Sequence, residues 1–252
     1  MTEKPIRFEP TERRIRVEFA DTVVADSAQA MLMCEPGHLP VYYLPFDDIR
    51  MDLVHRTNQS TVCPHKGSAA YWNLTVDGRT AENALWAYPE PYDHAPPGLK
   101  DYAAFYWNKV DRWFEEDEEV FVHPRDPRKR IDAIHSSRRV EIVLSGAVVA
   151  DSRRAVFLFE TGLPTRYYLP RWDVKPGILR SSEMTTRCPY KGIASYYDVG
   201  VTGRTWPGLV WGYRTPIPEC AKIQGLVSFF NEKVDEIRVD GKVMPKPVTK
   251  WS

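Results

Sequence analysis

The chain states one pattern twice, 125 positions apart. Val23-Val24-Ala25-Asp26-Ser27 returns as Val148-Val149-Ala150-Asp151-Ser152, and Tyr42-Tyr43-Leu44-Pro45 returns as Tyr167-Tyr168-Leu169-Pro170. Cys63-Pro64-His65-Lys66-Gly67 returns as Cys188-Pro189-Tyr190-Lys191-Gly192, and Trp86-Ala87-Tyr88 as Trp211-Gly212-Tyr213. Residues 22–88 slide onto 147–213 without a gap and match at 26 of 67 positions. A repeat of that length is a whole domain, well beyond the roughly 20 to 50 residues of a solenoid unit. The 252 residues therefore read as two domains, 1–124 and 125–252, each long enough to bury a core without metal or disulfide staples. The join at His123-Pro124-Arg125-Asp126-Pro127-Arg128 sets two prolines among charges, which discourages regular structure.

Strand patterns dominate both copies. Arg14 to Phe19 and Arg139 to Leu144 alternate polar and apolar residues, the period of a strand with one buried face. Val23 to Ala25, Ala30 to Cys34, Tyr42 to Leu44, Ala69 to Val76, Leu85 to Tyr88 and Tyr102 to Trp107 complete six or more short strands in the first copy. Prolines cut between them. Helical periodicity is confined to Asn108–Glu116, where one or two turns are expected. The fold class is mainly β, with at most one short helix per copy.

Lys plus Arg equals Asp plus Glu at 34 each, so net charge is zero, which argues against a general nucleic-acid binder. No 18-residue apolar run is present for a membrane span, and the first residues lack a secretion signal's apolar core. Of Cys34, Cys63, Cys188 and Cys220, only Cys63 and Cys188 are equivalent, and Cys34 faces Phe159. A disulfide common to both copies is not expected, and a reducing, cytoplasmic setting follows as the default.

The ordered set of Cys-Pro-Tyr/His-Lys-Gly-x-Ala-x-Tyr, a downstream Trp-x-Tyr, and a Phe-Tyr/Phe … Lys-Val-Asp segment resembles domain-of-unknown-function family 427 over nearly the whole chain. The second copy lies closer to the family pattern, with Arg138 and Arg139, Pro216, Pro218 and Glu219, and Asn231 to Asp235. The resemblance implies a β-tent domain in each copy, its sheets leaning together over a pocket. Other β-tent domains often hold zinc through two Cys-x-x-Cys pairs. This sequence has none, so no structural zinc is expected. The family carries a provisional nucleotidyltransferase label. Nucleotide transfer calls for paired carboxylates and a phosphate-binding loop, and the chain has neither Gly-x-Gly-x-x-Gly nor Gly-Lys-Ser/Thr.

Cys63 and Cys188 are candidate nucleophiles, because Lys66 and Lys191 follow three residues later in a tight turn, and a nearby cation favours thiolate. Each cysteine also reads as a small buried hydrophobe at a strand entry. The lysines are candidates for holding an anion or forming an imine, or are surface residues paired with an acid. His65 and Tyr190 share one position. Their ordinary pKa values lie about 3.5 apart, so a strict general base would not tolerate the exchange. That leaves a binding role, or activity in one copy alone. Trp86, Tyr88 and Tyr71, with Trp211, Tyr213 and Tyr196, read as the walls of a pocket for a planar or cationic ligand, or as core. Glu90 and Glu219 are acids in the next loop but are not equivalent under the offset. Asp26 and Asp151 are expected as Asx-turn residues, and Arg79 and Arg204 as hairpin-turn residues. Cys-x-His occurs in the first copy only, so no metal site is expected.

Three functions fit. One is a small-molecule enzyme using the Cys-Pro-x-Lys-Gly loop and Trp-x-Tyr strand for cysteine-dependent group transfer. The second is a metabolite-binding module without catalysis, recognising an anionic or planar ligand. The third is a structural or interaction protein in which one domain mainly supports the other, and the two repeats are expected to pack on each other. The sequence leaves the cofactor open, and neither nucleic acid nor membrane is an expected partner.

Overall fold

The alternation of apolar and polar residues becomes two copies of one all-antiparallel arrangement in the computed structural model, which describes residues 6–252. The chain divides into two compact units, the first ending at Asp126 and the second beginning at Pro127. Unit one contains β1 (Arg7–Pro10), β2 (Ile15–Phe19), β3 (Thr22–Ser27), β4 (Met31–Cys34), β5 (Val41–Pro45), β6 (Val54–Cys63), β7 (Gly67–Val76), β8 (Arg79–Pro91), β9 (Tyr102–Phe105), β10 (Arg112–Glu115) and β11 (Glu118–Val120). Unit two contains β12 (Ile131–Ser136), β13 (Val140–Leu144), β14 (Ala147–Ser152), β15 (Ala155–Glu160), β16 (Arg166–Leu169), β17 (Leu179–Cys188), β18 (Gly192–Val201), β19 (Arg204–Pro216), β20 (Val227–Phe229), β21 (Glu236–Val239) and β22 (Lys242–Val243).

Each unit pairs a seven-stranded sheet with a four-stranded one. The orders are β1-β4-β5-β9-β8-β7-β6 and β11-β10-β2-β3 in unit one, and β12-β15-β16-β20-β19-β18-β17 and β14-β13-β21-β22 in unit two. The fold is mainly β, and every helical segment among the described residues is a short 3-10 turn.

Successive strand residues point to opposite sheet faces, and both faces of the larger sheet are apolar. Leu32, Tyr42, Leu44, Trp72, Leu85 and Phe105 face the four-stranded sheet and pack against Ile15, Val17, Phe19 and Trp113. Their sequence neighbours Met33, Tyr43, Tyr71 and Ala104 form a second buried cluster with Tyr88 on the outer face. Unit two repeats this, with Phe157, Tyr167, Leu169, Val210 and Phe229 inside and Leu158, Tyr168, Trp211 and Tyr213 outside. Such runs of consecutive buried residues are expected where a sheet is covered on both sides.

The helical turns expected over Asn108–Glu116 are largely replaced by strand. A 3-10 turn occupies Trp107–Lys109, and Arg112–Glu115 pair with β2, Trp113 opposite Val17. Pairing there seats Trp113 in the core, 4.5 Å from the ring of Trp107 and parallel to it. The long strands β6 and β17 left little alternation to read. Between Val54 and Cys63 most residues are exposed, and the register slips between Arg56 and Ser60. Asp26 and Asp151 lie within strands and accept bidentate hydrogen bonds from Arg14 and Arg139, so they are strand salt-bridge partners and not Asx-turn residues.

Candidate functional site

The Cys-Pro-x-Lys-Gly segments are the tight turns joining β6 to β7 and β17 to β18. The amide of Lys66 donates to the carbonyl of Cys63 at 3.4 Å, and that of Lys191 to Cys188 at 3.3 Å. The closing glycines are required by geometry. Gly67 and Gly192 sit at φ of +104° and +99°, and a side chain there would press within 3.1 and 3.2 Å of the carbonyls of Glu90 and Thr215. The turn lies against β8 or β19, whose following residue donates back: Tyr92 N to Lys66 O and Ile217 N to Lys191 O, both 3.2 Å.

This packing turns each lysine inward onto the outer face of the large sheet. Lys66 and Lys191 are only 5% and 8% exposed. Lys66 donates to Glu35 and lies 3.7 Å from the sulfur of Met33, with its ammonium 5.3 Å from the ring centre of Tyr88. Lys191 donates to Glu160 at 2.5 Å, and the other Glu160 oxygen takes Lys129 at 2.8 Å. Glu35 and Glu160 are equivalent under the 125-residue offset. The acid of the cluster is therefore held in both copies, and it lies at β4 and β15, not in the loops beyond β8 and β19 that carry Glu90 and Glu219. Each follows β4 or closes β15, one residue past Cys34 or Phe159, and its equivalence under the repeat was the signal that could have found it. Burial raises the Glu160 carboxyl, but Lys191 and Lys129 outweigh it and hold the group below its ordinary value.

Aromatic residues surround the pair. Trp86 Nε1 donates to Tyr43 at 3.2 Å and Trp211 Nε1 to Tyr168 at 3.1 Å. Tyr71 and Tyr196 share hydrogen bonds with Thr61 and Thr186 at 2.7 and 3.0 Å. Trp86 packs on Tyr106 at 4.3 Å and Trp211 on Phe230 at 4.5 Å. Burial pushes the phenols of Tyr43, Tyr88, Tyr168 and Tyr213 well up, so they stay protonated and serve as donors, not bases. Burial, with Tyr71 alongside, pushes Tyr106 up to about 12.

Cys63 and Cys188 are half-buried, and Cys63 packs against the unit-one cluster. Cys188 neighbours Tyr168 and Tyr213. All four cysteines are unpaired, with Cys34 and Cys220 buried and both thiols pushed up to about 11, chiefly by burial. His65 is exposed, whereas Tyr190 at the equivalent position is buried, its carbonyl 3.3 Å from Cys220 Sγ and Lys129 5.0 Å above its ring. The two residues therefore occupy different environments despite their shared position. Glu90 and Glu219 are exposed, Glu219 on a 3-10 segment, Pro218–Ile223.

Unit two adds a second buried ion pair beside Trp211. Arg166 makes two 2.7 Å bonds to Glu232, whose carboxylate also accepts from Thr249 at 2.7 Å. The guanidinium lies 5.5 Å from the rings of both Trp211 and Trp251. Burial opposes ionisation of Glu232, but Arg166 and Thr249 prevail and set its carboxyl at about 2. Ser228 pairs with both Tyr168 and Trp211 across the sheet, is fully buried, and its hydroxyl has no partner. Unit one carries Ala104 at that register position.

Among the described residues, no three His, Cys, Asp or Glu side chains converge to hold a metal ion, and no helix is long and apolar enough to cross a membrane. No curated protein matches the chain. A family model matches it twice, over residues 7–116 and 132–240, and the chain belongs to that family, described as Domain of unknown function (DUF427).

Proposed function

We propose that the chain is a small-molecule-binding protein, its sites the Lys–Glu–Tyr clusters on the outer faces of the two large sheets. One observation carries this reading: a buried lysine is paired to a glutamate at equivalent positions in both units, Glu160 buried and Glu35 partly so, with the Tyr88 ring 5.3 Å from Lys66. A buried ion pair is poor value as a stabiliser, since apolar residues of the same volume usually serve the fold as well or better. Its presence in both copies is better explained by ligand recognition. The protonated phenols and ammonium groups offer donors, which suits an anionic ligand, and the half-buried rings of Trp86 and Tyr196 suit a planar one. In unit two, Lys129 and Lys191 against Glu160 leave one positive charge in excess, which favours a carboxylate or phosphate there.

Thermal-shift and native mass-spectrometry panels of planar acids test the reading. At least one compound should stabilise the full chain, and the combined Lys66→Met, Lys191→Met variant should lose that stabilisation. A panel without a hit, or a hit indifferent to both lysines, would sink it.

Cysteine-dependent group transfer is the second reading, favoured by the half-buried position of Cys63 and Cys188 on the site's rim. The ammonium meant to activate the thiol is already committed to a carboxylate in each unit, which ranks this reading below binding. A covalent adduct on Cys63 or Cys188 after incubation with a bound ligand, seen as a mass increase of the intact chain, would reverse that order.

A further inference from the structure

Zero net charge conceals a large separation. Unit one holds 13 Lys and Arg against 22 Asp and Glu, and unit two holds 21 against 12, giving formal charges of −9 and +9. Part of this separation sits at one equivalent edge of the two units. In unit two the β14–β15 turn carries Arg153 and Arg154, and a 3-10 segment after β16, Arg171–Asp173, carries Arg171 and Trp172. The amide of Lys175 donates to Val149 at 2.8 Å and Val174 bridges Ala150, so this segment lies along β14. Unit one has Ala28, Gln29, Phe46, Asp47 and Arg50 at these positions, and Arg50 is bound to Asp52 at 2.8 and 2.7 Å.

The edge in unit two is built to present an indole. Trp172 is 73% exposed. Asp173 accepts from Ser152 at 2.6 Å and pairs with Arg154 at 2.5 Å, and Arg154 lies 5.8 Å from the Trp172 ring centre. Arg171 stacks 4.9 Å over Tyr197. Arg153, Arg171 and Lys175 are exposed, and among the described residues none of the three forms a side-chain ion pair.

We propose that this edge of unit two binds single-stranded nucleic acid, with phosphates on Arg153, Arg171 and Lys175 and one base stacked on Trp172. A strongly basic domain attracts a polyanion, and phosphate contacts supply sequence-independent affinity. An exposed aromatic ring between cations accepts the π face of any base, and that face is free only in an unpaired strand. Insertion into a lipid surface would call for several apolar side chains together, whereas Trp172 is flanked by Arg171 and Asp173. The acidic unit weakens long-range attraction of the whole chain, so binding depends on these local contacts.

The test is fluorescence anisotropy of a labelled oligothymidine of about twelve nucleotides with the full chain at several salt concentrations. Saturable binding is expected, its log–log salt slope near about −2 for three phosphates. Trp172→Ala should weaken it about fivefold or more. Arg153→Ala, Arg171→Ala and Lys175→Ala together should both weaken binding and flatten the slope. All four residues are exposed, and unchanged circular dichroism would verify the fold of each variant. No saturable binding, or binding indifferent to these changes, overturns the proposal. Two further outcomes also overturn it: binding of phosphatidylserine vesicles but not the oligonucleotide, and self-association lost in the same variants without oligonucleotide binding.

Discussion

The outer faces of the two large sheets start from the same residues and reach different electrostatics. Lys66 and Lys191 descend from equivalent turns onto equivalent glutamates. In unit one the sulfur of Met33 completes the lysine's surroundings, and Leu158 stands at that position in unit two. Unit two brings Lys129 onto Glu160, and its counterpart, Lys4, lies outside the described residues. Unit two also inserts Arg166 and Glu232 where unit one has Val41 and, at the register set by β9 and β20, Asn108. The shared residues form a framework, and the unshared ones tune its charge.

The largest expected effect lies in the part unit one lacks. Arg166→Met strands Glu232, whose side chain is fully buried, and should cost about 3 to 5 kcal/mol in urea unfolding. A loss below about 1 kcal/mol would show that the pair is solvated and would erase this difference between the units. Next come the two lysines. Lys66→Met leaves Glu35 without its cation and should cost on the order of 3 kcal/mol. Lys191→Met should cost less, because Lys129 still neutralises Glu160. The reverse order would break the comparison.

Acid should separate the units further. Glu160 and Glu232 both have carboxyls held below their unfolded values, so their stabilisation is present above about pH 4 and is lost as pH falls through the folded values, near 2 for Glu232. The urea midpoint of unit two should therefore fall between about pH 4 and pH 2, and by less in the Arg166→Met variant. An unchanged midpoint over that window would contradict the assignment. The smallest effect is a gain. Ser228→Ala copies Ala104 of unit one, removes a buried hydroxyl without a partner, and should add up to about 1 kcal/mol. A loss would mean that the hydroxyl is bonded after all.

Much of the fold was legible because the repeat doubled every signal. The strand at Arg14 to Phe19 announced its one buried face by alternation, and Tyr42-Tyr43-Leu44 announced its two buried faces by lacking it. The strand β6 gave no such signal, since neither of its faces is well buried. Trp113 sits where a helical period was equally readable, and only pairing with β2 decides the matter. At the site, the turns and rings could be read, but the acid could not be read from proximity in sequence. Glu35 meets Lys66 only after two strands, β5 and β6, have folded between them, and identity under the 125-residue offset was the available clue. The charge separation was legible in each half and vanished in the sum over the chain.

The most direct test of the central claim is the alkylation of Cys63 and Cys188, followed peptide by peptide by mass spectrometry, with and without a stabilising ligand from the panel. Both thiols sit on the rim of the Lys–Glu–Tyr cluster, so a ligand bound there should slow alkylation of Cys63, Cys188 or both. If the ligand stabilises the chain and leaves both alkylation rates unchanged, it binds elsewhere, and the outer faces are a second core and not a site.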